Sequence, residues 1–158
     1  MKRLAALCCA VVWSIGAQAG PKEDAEAAYA QFFAAFTTGS HDRMATLFAP
    51  DALFYGTGSP EVVTTPEGVR AYFTRALAGP AVVQARPLGH TTLVLSDAVV
   101  LISGKWQSER TTDGKMVTAG PNRNTVALQK RGDRWLIVQF HNSPTPKPKP
   151  AAPTPPAQ

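Results

Sequence analysis

Residues 82–141 read VVQARPLGHTTLVLSDAVVLISGKWQSERTTDGKMVTAGPNRNTVALQKRGDRWLIVQFH. Four runs rich in Val, Thr, Ile and Trp, at 82–95, 98–109, 116–129 and 134–141, alternate with Ser96-Asp97, Thr112-Asp113-Gly114 and Arg131-Gly132-Asp133. β-Branched and aromatic side chains suit a pleated, half-buried surface, and Asp and Gly accept the backbone angles of tight turns. Consecutive strands joined this way predict an antiparallel meander. Gly89, Gly104 and Gly120 fall inside the strands. Glycine there commonly marks a bulge, which predicts a sheet curled around a cavity.

The segment before the strands has helical spacing instead. Over 23–36 the apolar positions Ala27, Tyr29, Phe32, Phe33 and Phe36 share one face, and Gly39 is a natural stop. Ser40 can cap a short second helix with Met44, Leu47 and Phe48 turned inward. Pro50-Asp51 leads into a strand over 52–55. Thr65-Pro66-Glu67 then starts a third helix, whose buried face is Val69, Tyr72, Phe73 and Leu77. Helices gathered ahead of an antiparallel sheet imply an α+β domain with the helices covering one face. No internal repeat is present.

The ends of the chain read differently. Lys2 and Arg3 precede a largely apolar run over 4–15, and Ala17-Gln18-Ala19 follows. That order predicts a signal peptide over 1–19 and export to the periplasm or beyond. The run is short for a membrane span, which needs about 20 apolar residues. A retained anchor and a lipoprotein at Cys8 or Cys9 are the alternatives. Both cysteines leave with such a signal, so the domain expected over 20–143 would hold no disulfide or thiolate site. Residues 143–158, SPTPKPKPAAPTPPAQ, contain seven of the chain's fourteen prolines and no large apolar side chain. A disordered, extended tail is expected over 144–158. The net charge of +5 includes Lys2, Arg3, Lys147 and Lys149; without them 12 basic residues face 11 acidic ones. No basic run or aromatic–basic stripe points to nucleic acid.

Two stretches carry a family resemblance. Residues 47–77, LFAPDALFYGTGSPEVVTTPEGVRAYFTRAL, resemble the front half of a nuclear transport factor 2-like (SnoaL-like) domain in the F-x-x-D-A strand entry and the G-V-R-x-Y-F helix. Residues 122–146, NRNTVALQKRGDRWLIVQFHNSPTP, are similar to bacterial relatives of the calcium/calmodulin-dependent protein kinase II association domain. The matching features are Arg123, the strand Trp135-Leu136-Ile137-Val138, and the ending with His141 and Ser143. The resemblance implies a cone of three helices on a curled sheet, a pocket at its wide end, and association through the outer sheet face. It fixes no chemistry, because this fold hosts isomerases, dehydratases, binding modules and oligomerisation hubs. Gly56 stands where ketosteroid isomerase-like members carry the aspartate base. Asn142 stands where the kinase domain has an arginine.

Strand alternation puts Trp135, Ile137, Gln139 and His141 on one face, with Leu136, Val138 and Phe140 on the other. Arg123 and Thr125 share a face of the preceding strand, and the turn at 131–133 sets Thr125 opposite residue 139 or 141. Arg123 and His141 are therefore expected inside the cone, where guanidinium and imidazole could hold a small acid. Thr125 and Gln139 would line the same site, and Tyr55 and Tyr72 could bring hydroxyls to its mouth. The plainer reading is an end-of-strand histidine bonded to backbone, with Arg123 paired to a surface acid. Trp106, Val100 and Ile102 are candidates for an outer face covered in a homodimer. His41, His90 and His141 show no metal-ligand spacing, and no cofactor motif occurs, so no metal or cofactor is predicted.

These residues support an exported module that binds a small polar or acidic ligand and self-associates. One alternative is an enzyme with His141 as general acid/base and Arg123 stabilising an oxyanion. The other is an envelope interaction protein acting through its Pro-rich tail.

Overall fold

The computed structural model describes residues 20–79 and 82–147; the expected signal segment and most of the Pro-rich stretch lie outside them. The elements are α1 (Pro21–Thr37), α2 (His41–Thr46), β1 (Phe48–Tyr55), α3 (Pro66–Ala76), β2 (Val82–Ser96), β3 (Val99–Thr112), β4 (Lys115–Arg131) and β5 (Arg134–Pro144). The strands form one sheet in the order β1-β5-β4-β3-β2. The α+β reading holds, with helices packed on one face of a bent sheet.

Local chemistry starts each helix where expected. Pro21 opens α1, with Glu23 and Asp24 in its first turn facing the positive end of the helix dipole. The Ser40 hydroxyl accepts from the Arg43 amide at 3.3 Å, and the Thr65 hydroxyl accepts from the Gly68 amide at 3.1 Å. The buried face of α1 is Ala25, Tyr29, Phe32, Phe33, Ala35 and Phe36. Ala27, expected inward, is exposed instead. The aromatic quartet and not the alanines sets the helix rotation.

The sheet departs from a plain meander in two ways. β1 joins its edge parallel to β5, with Tyr55 beside His141, so the sheet is mixed. Register breaks between Pro87 and His90 and between Trp106 and Ser108 bend it. Gly89 and Gly120, both at φ +117°, sit at those breaks, where other residues would be strained. Gly104 marks no bulge. It gives way to Tyr29, whose hydroxyl would lie 2.6 Å from a Cβ there.

The inner face buries Val100, Ile102, Trp106, Val126, Leu128, Ile137 and Phe140 against the helices. Val100, Ile102 and Trp106 are core residues, so their expected role on the outer face is corrected. That open face carries instead a row of β1, β5, β4, β3 and β2 residues: Leu53, Gln139, Ala127, Leu101 and Leu93.

α1 is tied to the edge strand β2 by Glu26. Its carboxylate accepts from the Thr92 hydroxyl and from Lys22, and meets His90 Nε2 at 3.2 Å. Those bonds, Thr92 first, hold the carboxyl at about 2, below its ordinary 4.5. A depressed carboxyl adds stability above its ordinary value and loses it as pH falls from 4.5 towards 2. Allowing for partial exposure, Glu26→Gln should cost about 1–2 kcal/mol at pH 7 and flatten the acid limb of a pH–stability curve. An unchanged acid limb in chemical denaturation would contradict this.

Candidate functional site

The inner face of the sheet does not close completely against α1 and α3. Between them lies a cavity of 270 Å³. Phe32 and Phe36 of α1, Phe54 of β1, Tyr72 and Phe73 of α3, Trp106 of β3 and Phe140 of β5 form its aromatic wall. The rings lock together: Phe54 stacks on Phe140 at 5.4 Å and packs on Tyr72 at 4.7 Å, and Phe32 lies 5.0 Å from Phe140.

One end of the cavity is polar. The Trp106 indole N–H donates to Asn142 Oδ1 at 2.8 Å, and Asn142 Nδ2 donates to the Thr57 hydroxyl. Trp106 and Asn142 are both buried, so the amide oxygen satisfies an indole N–H that water does not reach, while its Nδ2 turns to the exposed Thr57. Ser108, Asn122 and Arg110 complete this end, with Arg110 donating to the Ala76 carbonyl at 2.9 Å. Arg110 and Tyr72 are the ionisable side chains among the described lining residues. The arrangement can hold a small molecule against aromatic rings and orient one polar group by amide, hydroxyl and guanidinium contacts.

Of the residues picked from sequence, Tyr72 alone lines this cavity. Tyr55, His141 and Thr125 are brought together on the opposite, open face, in a row that continues through Ser103 and Thr91. The Tyr55 and His141 rings meet edge to face at 5.7 Å. Arg123 lies one row further, opposite Ser143, with its Nε 3.1 Å from the Ser143 hydroxyl. Gln139 falls in the Leu53–Leu93 row. Thr125 does pair with His141, and Arg123 does share their face; the error was which face it is.

The reason is a bulge. Leu128 pairs with Ile137 but Ala127 pairs with Gln139, so Val138 has no opposite residue. One extra residue reverses the alternation. Ile137 and Phe140 are therefore both buried, Asn142 follows them inward, and His141 turns out. The placement of Arg123 and His141 inside the cone is overturned, and with it acid–base work by that pair on a ligand in the cavity. The sequence reading missed Asn142, Thr57, Ser108, Asn122 and Arg110. Counting alternation forward from Phe140, a large ring with little choice but the core, would have found Asn142.

Gly56 also lines the cavity, and a Cβ there would lie 2.3 Å from Tyr72 Cζ. The position can hold no side chain while Tyr72 occupies its place. Gly56→Ala should therefore cost about 1–3 kcal/mol, as overpacking does. In the Tyr72→Ala background thermal melts should show most of that loss gone; equal costs in both backgrounds would contradict the clash.

Residues 25–147 match the family described as SnoaL-like domain. Among solved structures, a protein from Xanthomonas campestris described as a calcium/calmodulin dependent protein kinase II association domain is 28% identical, with a TM-score of 0.70 over 77% of this chain and 86% of that one. A Thiobacillus denitrificans protein of the same description is 19% identical, at TM-score 0.62 over 77% of this chain and 94% of that one. A Streptomyces avermitilis protein described as a dehydratase of the nuclear transport factor 2-like family is 16% identical, at TM-score 0.69 over 79% and 97%. The last two likenesses are of fold. No curated protein matches the chain. The family match covers every residue that lines the cavity, and the chain belongs to the family of SnoaL-like domains, with the nuclear transport factor 2-like fold.

Proposed function

We propose that this chain is an exported module that binds a small molecule inside the cone and self-associates through the open face of its sheet. The observation that carries the reading is the aromatic-walled cavity with the Trp106–Asn142–Thr57 chain at its polar end. Aromatic walls favour a compact, mostly apolar ligand, and the polar end selects one with a single hydroxyl, carbonyl or carboxylate group. No Asp, Glu or His belongs to the described lining, so no side chain there is suited to take a proton from carbon near neutral pH. Binding without turnover is the reading this favours.

Trp106 makes the test direct. In a chain cut after Ala19 the tryptophans are Trp106 and Trp135, so Trp135→Phe leaves one reporter, in the cavity wall. Titration with small phenols and benzoates should change its fluorescence saturably, and Ser108→Leu, which fills the cavity, should abolish the change. Saturable quenching that survives Ser108→Leu would put the ligand elsewhere.

Self-association is supported by Leu53 and Leu93, which are 51% and 55% exposed and share a row with Leu101. It is also supported by likeness to a protein described as an association domain. Light scattering at micromolar concentration should give a dimer mass, and Leu93→Lys should give a monomer. Export rests on Lys2, Arg3, the apolar run and Ala17-Gln18-Ala19. Intact mass of the secreted protein should begin at Gly20, and a species keeping residues 1–19 would contradict it.

A further inference from the structure

The open face carries an electrostatic conflict that the cavity does not explain. β3 and β4 pair so that Lys105 lies directly opposite Arg123, and both side chains are exposed. Like charges across an antiparallel pair repel. Four other cations are matched with acids: Lys22 with Glu26, Arg70 with Asp42, Arg86 with Glu109, and Arg131 with Asp51. Among the described residues neither Lys105 nor Arg123 has an acidic partner. Arg123 gives its Nε to Ser143, which leaves both terminal amino groups of the guanidinium as a fork.

The two cations edge a concavity of 570 Å³ that His141, Ser103, Thr125 and Ser143 also line. Every one of these side chains can donate a hydrogen bond, and no Asp or Glu lines the concavity. The break in β2 at Gly89 brings the edge strand into its wall. We propose that this concavity is a second binding site, separate from the inner cavity, for a small organic dianion: a dicarboxylate or a phosphate monoester. One anionic group would sit between Lys105 and the Arg123 fork, turning their repulsion into two attractions. The second would reach the hydroxyls and His141. The charges share the open face with the Leu53–Leu93 row and lie two rows from it, so binding is measured in the Leu93→Lys monomer as well.

The test uses the secreted protein, with succinate and inorganic phosphate as probes, in buffers held at one ionic strength with sodium chloride. Calorimetry should show saturable binding. Lys105→Gln and Arg123→Gln should each weaken it about tenfold or more, the usual cost of a lost hydrogen bond to a charged group. Lys130→Gln, at the far end of β4, should leave it unchanged. A second readout guards against a purely structural effect. Without either probe Lys105→Gln should melt at or above the wild-type temperature, since it removes a repulsion, and probe should no longer raise its melting point. No saturable binding beyond that of chloride, equal binding by the two variants, or a probe-free Lys105→Gln protein that melts lower would each overturn the proposal.

Discussion

Phe32→Ala is expected to destabilise the domain by about 3–5 kcal/mol, the usual cost of deleting a buried phenyl ring. Phe32 is 1% exposed and belongs to no single layer. Its ring lies 5.0 Å from Phe140, 5.3 Å from Phe33, and 6.2 Å from each of Phe36, Phe73 and Trp106. It therefore couples α1 to α3, β3 and β5 at once. Its neighbours cannot close the gap easily, because the ring already borders the cavity, which would merely enlarge. Chemical denaturation should show a lower midpoint with an unchanged slope, since the same surface is exposed on unfolding. The control is Leu93→Ala on the open face, expected within about 0.5 kcal/mol in the monomer. A Phe32→Ala cost below about 1.5 kcal/mol would mean that the wall repacks, and the cavity would then be too soft to select a ligand by shape.

Much of this was legible from the sequence because it is written locally. Ser40 and Thr65 announce their helices by the same hydroxyl-to-amide bonds that the structure contains, and Asp113-Gly114 and Arg131-Gly132-Asp133 sit at the turns between paired strands. What is set by partners distant in sequence was not legible. The pairing of β1 alongside β5 joins Tyr55 to His141 across most of the chain, and no local pattern predicts a parallel neighbour. The bulge at Val138 is similar: nothing in the run WLIVQFHN marks which residue lacks an opposite, yet it decides the face of every residue after it. The Lys105–Arg123 conflict also appears only once the register is known. Family resemblance gave the cone and its cavity, but residues had to be placed one by one.

Asn142 is where that placement bears on stability and on the cavity at once. Asn142→Leu should cost about 1–3 kcal/mol, although leucine has nearly the same shape as asparagine. Burial of the extra methyls is favourable, so the loss must come from the partners. The Trp106 indole N–H would lose its acceptor, whereas the exposed Thr57 hydroxyl can turn to water. Each buried polar group left without a partner costs about 1–3 kcal/mol. Asn142 is 7% exposed and Trp106 5%, so bulk water cannot replace the bond to the indole without opening the domain. The attribution can be checked by a double-mutant cycle. In a Trp106→Phe background the indole N–H is gone, and Asn142→Leu should cost about 1 kcal/mol less than in the wild type. Ligand-dependent fluorescence of Trp106 should disappear in Asn142→Leu even where the protein is folded, because the group that orients the polar end is missing. An Asn142→Leu protein as stable as the wild type, still responding to ligand, would show that the buried amide neither holds the fold nor serves the cavity.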